Sequence, residues 1–163
     1  MRARGALRMR LSVQSSGLQG RLAMVTSKSH TLRAIVFAAL ANGISEVHHP
    51  LASPDTQCML AAVKSFGARV EQIATGLRIY GVAGRLGAPT SPIDAGNSGL
   101  VLRLLGGVLA NSEYPVELTG DESICTRRPV LPLLQGLTQW GVEAVSIQDN
   151  AHAPIRVTGP LGG

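Results

Sequence analysis

Apolar and polar positions repeat with two different periods along this chain, and the two periods come in the same order twice. In each half, a helical spacing of apolar residues is followed by a short alternating stretch, a second helical stretch and two further alternating stretches. The pattern predicts a β-α-β-α-β-β unit, or close to it, present once over residues 20–81 and again over residues 93–159.

The first copy has clear element boundaries. An apolar helix is predicted around residues 34–41, and a strand over Ile44–His48. Ser53 can cap a second helix, and Pro54 suits its first position. Two alternating strands are then expected, at residues 70–73 and 77–80.

The second copy repeats this order. A strand is predicted over Val116–Thr119, and Pro129 is expected to start the second helix. The apolar stripe of that helix consists of Val130, Leu133, Leu134 and Leu137. Alternating strands are expected at residues 142–147 and 155–157.

Similar sequence segments at corresponding places in the two copies support a duplication. The first helices end in Leu40-Ala41-Asn42-Gly43 and Leu109-Ala110-Asn111-Ser112, and the copies end in Arg78-Ile79-Tyr80-Gly81 and Arg156-Val157-Thr158-Gly159. Each first helix also carries an arginine one turn inside, Arg33 and Arg103. Such units suggest helices packed inside with sheets around them, and the apolar first helices predict burial on nearly all sides.

Composition places the chain among globular proteins, and the element pattern makes its fold class α/β. Its 163 residues, 45% of them hydrophobic, suffice for one domain with a core. The two cysteines, Cys58 and Cys125, form no pattern with metal-ligand spacing, which favours a reducing compartment and no zinc. No apolar run approaches membrane-spanning length, so we expect a soluble, cytoplasmic protein.

The net charge of +5 is unevenly placed. Arg2, Arg4, Arg8 and Arg10 supply four of these charges, and the remainder of the chain is nearly neutral. Residues 1–15 are therefore expected to form a basic, disordered tail in front of a domain over residues 16–163. Aromatic residues are scarce, so the composition does not favour nucleic acid as the partner.

The candidate chemistry begins at Ser27-Lys28-Ser29-His30-Thr31-Leu32-Arg33, which opens the first helix. Unpaired N–H groups and the helix dipole attract anions at such a start. We expect Ser29 to cap the helix and Arg33 to share its face with Ser29. The alternative is a capped helix with two solvated basic residues.

The second copy carries a small polar loop, Gly96-Asn97-Ser98-Gly99, at the corresponding place. If symmetry relates the copies, the two helix starts lie close together and form neighbouring anion-binding corners. This arrangement suits substrates that carry several negative charges.

Three motifs give the chain a family resemblance over nearly everything after residue 16. They are the segment from Ser27 to Arg33, the run Asp94-Ala95-Gly96-Asn97-Ser98-Gly99, and Thr119-Gly120-Asp121-Glu122-Ser123 leading to Arg127-Arg128-Pro129. The sequence resembles the 5-enolpyruvylshikimate-3-phosphate (EPSP) synthase family of the shikimate pathway.

The resemblance implies transfer of an enolpyruvyl group from phosphoenolpyruvate to shikimate 3-phosphate, with release of phosphate, in aromatic amino-acid biosynthesis. It implies no metal or organic cofactor. It also implies a fold of two similar domains, each built from three β-α-β-α-β-β units, with the active site in the cleft between them.

The resemblance also implies two groups of substrate-binding residues. They are Lys28, Ser29 and Arg33 for shikimate 3-phosphate, and Lys28, Asn97, Gly99 and Arg128 for phosphoenolpyruvate. Lys28 would contact both substrates and serve catalysis, and Gly99 would let backbone approach a ligand. Asp55 matches an acidic position near the family's site but carries no assigned role.

The sequence departs from the family pattern at Val25-Thr26, at Leu100 and at Cys125-Thr126. These changes bear on substrate affinity and glyphosate sensitivity. The chain also contains about two of the family's repeated units. We therefore expect an N-terminal fragment with an incomplete first domain, inactive alone, whose partner would be a complementary C-terminal fragment.

Other interpretations remain open. UDP-N-acetylglucosamine enolpyruvyl transferases share the fold and carry a reactive cysteine before an Arg-Pro pair, and Cys125 lies close to Arg128-Pro129. A non-catalytic split-enzyme half would act only by associating with another chain through an exposed apolar face. Binding of nucleic acid through the arginine-rich tail is a third possibility.

Overall fold

The computed structural model describes residues 11–17 and 19–161. The helices are α1 (Lys28–Leu40), α2 (Pro54–Ser65), α3 (Gly99–Leu109), α4 (Glu122–Arg127) and α5 (Leu131–Gln139). The strands are β1 (Ile44–His48), β2 (Arg69–Ile73), β3 (Gly76–Tyr80), β4 (Ile93–Asp94), β5 (Val116–Thr119), β6 (Glu143–Ser146) and β7 (Ile155–Thr158). Of the expected basic tail, residues 1–10 lie outside the described residues.

Two sheets repeat one topology, and the expected mixture of helices and sheets is confirmed. The first sheet has the order β1-β3-β2, and the second has the order β4-β5-β7-β6. Within each unit the last strand lies between the other two and pairs antiparallel with both. The additional strand β4 pairs parallel with β5.

The strand registers also repeat. Glu46 lies opposite Arg78 in the first sheet, and Glu117 lies opposite Arg156 in the second. Each pair forms a salt bridge, with N···O distances of 2.8 Å and 2.7 Å, respectively. The duplication therefore extends from the backbone to matched side chains.

Two sequence-based boundaries differ in the structure. Residues 21–27 form no strand in front of α1, whereas β4 precedes α3. Pro129 does not start a helix, because α5 begins at Leu131 and the six-residue helix α4 precedes it. Arg128 is extended, as the residue before a proline usually is, and this extended residue separates α4 from α5.

Close packing explains why both units end in glycine. A Cβ atom at Gly81 would overlap the carbonyl oxygen of Ala41, just beyond α1. A Cβ atom at Gly159 would overlap the carbonyl oxygen of Ala110, just beyond α3. In both units, the end of the last strand passes directly against the end of the first helix.

The helices of both units share one core. α1 contacts α2 and α3, and α2 also contacts α3 and β4, so the helices connect the two sheets. However, α1 is not buried on nearly all sides. Phe37 is 68% exposed, because none of the described elements covers that face of α1.

Candidate functional site

The start of α1 is capped by Ser27 rather than by Ser29. The Ser27 side chain accepts a hydrogen bond from the N–H of His30 at 3.3 Å. The helix consequently begins two residues earlier than a cap at Ser29 implies, with Lys28 in its first position. Lys28 therefore lies at the positive end of the helix, with its side chain half exposed.

Asp55 joins the starts of three helices. This residue lies in the first turn of α2, and its Oδ2 atom is 3.0 Å from Nζ of Lys28. The same oxygen accepts a hydrogen bond of 2.7 Å from the hydroxyl of Ser98. Ser98 is the N-cap of α3 and accepts from the N–H of Val101. One carboxylate thus connects the first helices of both units.

The surroundings of Asp55 keep its carboxyl group ionised. Burial alone would raise its pKa, but the hydrogen bond from Ser98 and the ammonium group of Lys28 outweigh burial. The pKa of Asp55 is consequently held below its ordinary value of 3.8. Lys28 and Asp55 therefore form an ion pair at neutral pH.

A second polar cluster lies beside the first. The amide nitrogen of Asn97 donates to Oδ2 of Asp121 at 2.6 Å, and Arg128 donates to the amide oxygen of Asn97 at 2.9 Å. Asp121 also caps α4 by accepting from the N–H of Ile124. The hydrogen bond from Asn97 is the main cause that lowers the pKa of Asp121.

Backbone hydrogen bonds fix the loop that carries these groups. The N–H of Asp121 donates to the carbonyl of Gly96 at 2.9 Å, and the N–H of Gly96 donates to the carboxylate of Asp94 at 2.7 Å. The N–H of Ala95 donates to the carbonyl of Thr119. The loop before α3 is therefore tied to the segment after β5.

Arg103 was not assigned to the site from the sequence, yet its side chain lies at the start of α3, beside Arg128. Its guanidinium donates to the carbonyl of Gly99 at 3.0 Å and to the carbonyl of Pro129 at 2.9 Å. The repeated arginine was the only sequence signal that could have indicated it. Its partner Pro129 is too distant in sequence for a local pattern to reveal.

The predicted site residues separate into two groups. Lys28, Asn97, Gly99 and Arg128 lie around the linked starts of α1 and α3. Ser29 and Arg33 lie on the first two turns of α1, and neither side chain has a hydrogen bond or ion pair with the described residues. The substrate roles assigned to all six remain predictions.

The two cysteines lie in different surroundings. Burial and the nearby carboxylates of Asp94 and Asp55 raise the pKa of Cys58, which disfavours its thiolate. The thiol of Cys125 donates to the carbonyl of Gly120 at 3.4 Å, and this hydrogen bond ties the side chain to the backbone of its own loop.

Residues 11–17 and 19–161 contain neither a cluster of metal-ligating side chains nor a membrane-spanning helix. No group of three or more potential metal-ligating side chains occurs in this part of the chain. Nor does it contain a helix that is long and apolar enough to cross a membrane.

Fold and site together define an α/β protein of repeated units that gathers cations and helix N-termini at one place. Such an arrangement is suited to phosphate and carboxylate groups. The family EPSP synthase (3-phosphoshikimate 1-carboxyvinyltransferase) matches residues 13–163. The chain belongs to this family.

Individual relatives support the assignment. The chain is 44% identical over 156 residues to a 3-phosphoshikimate 1-carboxyvinyltransferase of Methanothermobacter thermautotrophicus, covering 95% of this chain and 37% of the relative. The enzyme of the same name from Chlamydia abortus is 36% identical, with 91% and 33% covered. The EPSP synthase structure from Acinetobacter baumannii gives a TM-score of 0.79 at 31% identity, with 86% of this chain and 32% of that chain covered.

The chain therefore spans about a third of the length of these relatives. The family and the fold of this portion are shown by these matches. The relatives contain further structure beyond the portion that this chain matches.

Proposed function

We propose that this chain contributes part of the active site of a cytoplasmic enzyme that transfers the enolpyruvyl group of phosphoenolpyruvate to shikimate 3-phosphate. The observation that carries the proposal is the link Lys28–Asp55–Ser98, with Asn97 and Arg128 directly beside it. This link holds the N-termini of two helices and the ammonium group of Lys28 next to one another, while Arg128 is bonded to Asn97, the residue before Ser98. We infer no need for a metal or organic cofactor.

Lys28 is the central residue in this proposal. An ammonium group has three N–H donors, and the pairing with Asp55 engages only one side of it. The remaining donors can contact anionic groups of both substrates. Ser29 and Arg33 extend the same end of α1 and would hold shikimate 3-phosphate, since a guanidinium can bind a phosphate with two parallel hydrogen bonds.

The second helix start would hold phosphoenolpyruvate. The N–H groups of Gly99 and Leu100 lie in the first turn of α3, where no intrahelical acceptor exists. Arg128 is half-buried, and its bond to Asn97 leaves further N–H groups for a phosphate or carboxylate. Asn97 would hold both the loop and Arg128 in position.

These groups suit the proposed reaction because phosphate leaves as a dianion or monoanion. Fixed cations and backbone donors stabilise charge that develops on a leaving group, and they need no rearrangement during the reaction. The proton transfers would require groups supplied by the further structure that the relatives contain. We therefore propose that this chain acts together with a complementary part.

Reconstitution tests this proposal. The chain is mixed with the remaining part of the Methanothermobacter relative, produced separately, and phosphate release is measured with both substrates. We expect release only from the mixture, and we expect Lys28→Met to reduce it about 100-fold. Lys64→Met is the matched control, since Lys64 lies in the last turn of α2, about 13 Å along the helix from Asp55.

Four outcomes would count against the proposal. Turnover by the chain alone would show that no complementary part is needed. Equal losses for Lys28→Met and Lys64→Met would remove the role of Lys28. Release with UDP-N-acetylglucosamine in place of shikimate 3-phosphate would indicate a different acceptor, and association without release would indicate a non-catalytic module.

A further inference from the structure

We infer that Arg103 is a positioning residue that holds Arg128 in the orientation in which it binds an anionic ligand. The inference rests on the proposed function, because that function makes Arg128 a ligand-binding group. Arg103 itself contacts backbone carbonyls of this chain, so its effect on a ligand would pass through Arg128.

The hydrogen bonds of Arg103 connect two segments that are far apart in sequence. One nitrogen, Nη1, donates to the carbonyl of Gly99 in the first turn of α3. The other, Nη2, donates to the carbonyl of Pro129, the residue that follows Arg128. A single guanidinium thereby fixes the distance between the start of α3 and the turn that carries Arg128.

The space above Gly99 shows how closely the two arginines are placed. A Cβ atom on residue 99 would lie 2.7 Å from Nη1 of Arg103 and 3.3 Å from Nη1 of Arg128. Both guanidinium groups therefore lie against the same bare backbone position. Two cations placed so close repel each other, and each consequently needs fixed acceptors to remain there.

The acceptors are divided between the two arginines. Arg128 is held on one side by the amide oxygen of Asn97, which is itself fixed by Asp121. Arg103 is held by its two carbonyls. Without Arg103, the turn around Pro129 would lose its only side-chain hydrogen bond to α3 among the described residues, and the bond to Asn97 would be the one side-chain hydrogen bond left to hold Arg128.

The shape of the side chain explains why arginine is needed at this position. A planar guanidinium presents donors in a rigid fork and can serve two acceptors in different directions. A lysine at residue 103 would provide one compact ammonium group on a flexible stem. We therefore expect Arg103→Lys to retain the positive charge but to lose the connection between Gly99 and Pro129.

The first arm of the test uses the chain without ligand. The order parameter of the Nε–H bond of Arg128 is measured by NMR in the wild type, in Arg103→Ala and in Arg103→Lys. We expect a clear fall toward flexible values in both variants. The control is Arg156→Ala, which removes another partly exposed arginine, from β7 outside the site.

The second arm measures the affinity for phosphoenolpyruvate together with the thermal midpoint. Both variants of Arg103 should weaken binding about tenfold, the equivalent of one charge-assisted hydrogen bond that is no longer well formed. Their midpoints should change no more than that of Arg156→Ala. A purely structural role would instead lower the midpoint and leave the affinity of the folded protein unchanged.

The two arms separate this inference from the proposed function. If neither the wild-type chain nor its mixture with the complementary part binds phosphoenolpyruvate while the order of Arg128 still falls in both variants, the positioning role holds and the proposed ligand is wrong. If Arg128 remains equally ordered without Arg103, or if Arg103→Lys behaves as the wild type in both arms, the inference is overturned.

Discussion

The two repeated units use the same order for their three shared strands but differ in the connection that follows the strand after the first helix. In the first unit, residues 49–53 lead from β1 directly to α2. In the second unit, residues 120–130 contain the additional helix α4. Asp121 and Arg128 belong to this longer connection and meet the loop before α3. The strand order that the units share sets the positions of the helices, while the longer connection in the second unit supplies polar groups of the site.

The first helices differ as well. The cap of α1, Ser27, is exposed, whereas the cap of α3, Ser98, is only 3% exposed. Ser98 also bonds to Asp55 from the first unit. The second helix start is therefore integrated into the core, and the first remains open to solvent apart from the pairing of Lys28.

The largest predicted effect tests the feature that the units share. Gly81→Ala and Gly159→Ala should each lower the free energy of unfolding by about 2–3 kcal/mol, because each new Cβ overlaps a backbone carbonyl that no side-chain movement can clear. Urea denaturation measures this change. Gly107→Ala is the control: it lies exposed in α3 with open space around it, and alanine there should stabilise by up to about 1 kcal/mol. Equal tolerance of all three substitutions would show that the last strand of each unit is not tightly packed against the end of the first helix.

The next prediction concerns the difference between the helix starts. Ser98→Ala should lower the free energy of unfolding by about 2 kcal/mol, since it leaves a buried N–H without a partner and removes a donor from Asp55. Ser27→Ala should lower it by about 1 kcal/mol, because it removes an exposed cap only. Ser29→Ala should have almost no effect in the same urea titrations. A larger loss at Ser29 than at Ser27 would restore the sequence-based assignment of the cap.

Most helices and strands could be predicted because their bounds depend on residues that are close together in the sequence. The bounds of β1 and β5 match the alternating stretches, and Ser53 with Pro54 opens α2 as predicted. Each of these features depends on neighbouring residues along the chain. The missed helix α4 has only six residues, too few for a clear periodic signal. The cap of α1 was ambiguous because Ser27 and Ser29 are both suitable residue types.

The site could be predicted only in part, for a different reason. The motifs placed Lys28, Asn97 and Arg128 near helix starts, but they did not show what each side chain contacts. Asp55 and Ser98 are 43 positions apart, and Arg103 and Pro129 are 26 apart. Such contacts depend on how the two units pack, and no single-sequence periodicity records this packing.

A third prediction tests the connection between the units through pH. The pKa of Asp55 is lowered by folding, so its stabilising effect is fully present above the ordinary value of 3.8 and is lost as the pH falls below it. Asp55→Asn should lower the free energy of unfolding by about 1–2 kcal/mol at neutral pH, and the difference from the wild type should shrink in acid. Urea titrations at several pH values measure this. Asp149→Asn, on an exposed turn, should keep the wild-type profile. A difference that stays constant through the acid range would contradict the ion-pair account.

The smallest predicted effect concerns the matched ion pairs, Glu46–Arg78 and Glu117–Arg156. Their side chains are 36–47% exposed, and pairs so open to water contribute little and are screened by salt. Replacing either arginine by methionine should shift the thermal midpoint by no more than about 2 °C, and by similar amounts in the two units. High salt should reduce both shifts, since only the electrostatic part of each pair is screened. A large shift in one unit alone would mean that the same strand register does not give the two ion pairs the same energy, and that the units differ even in their shared sheet topology.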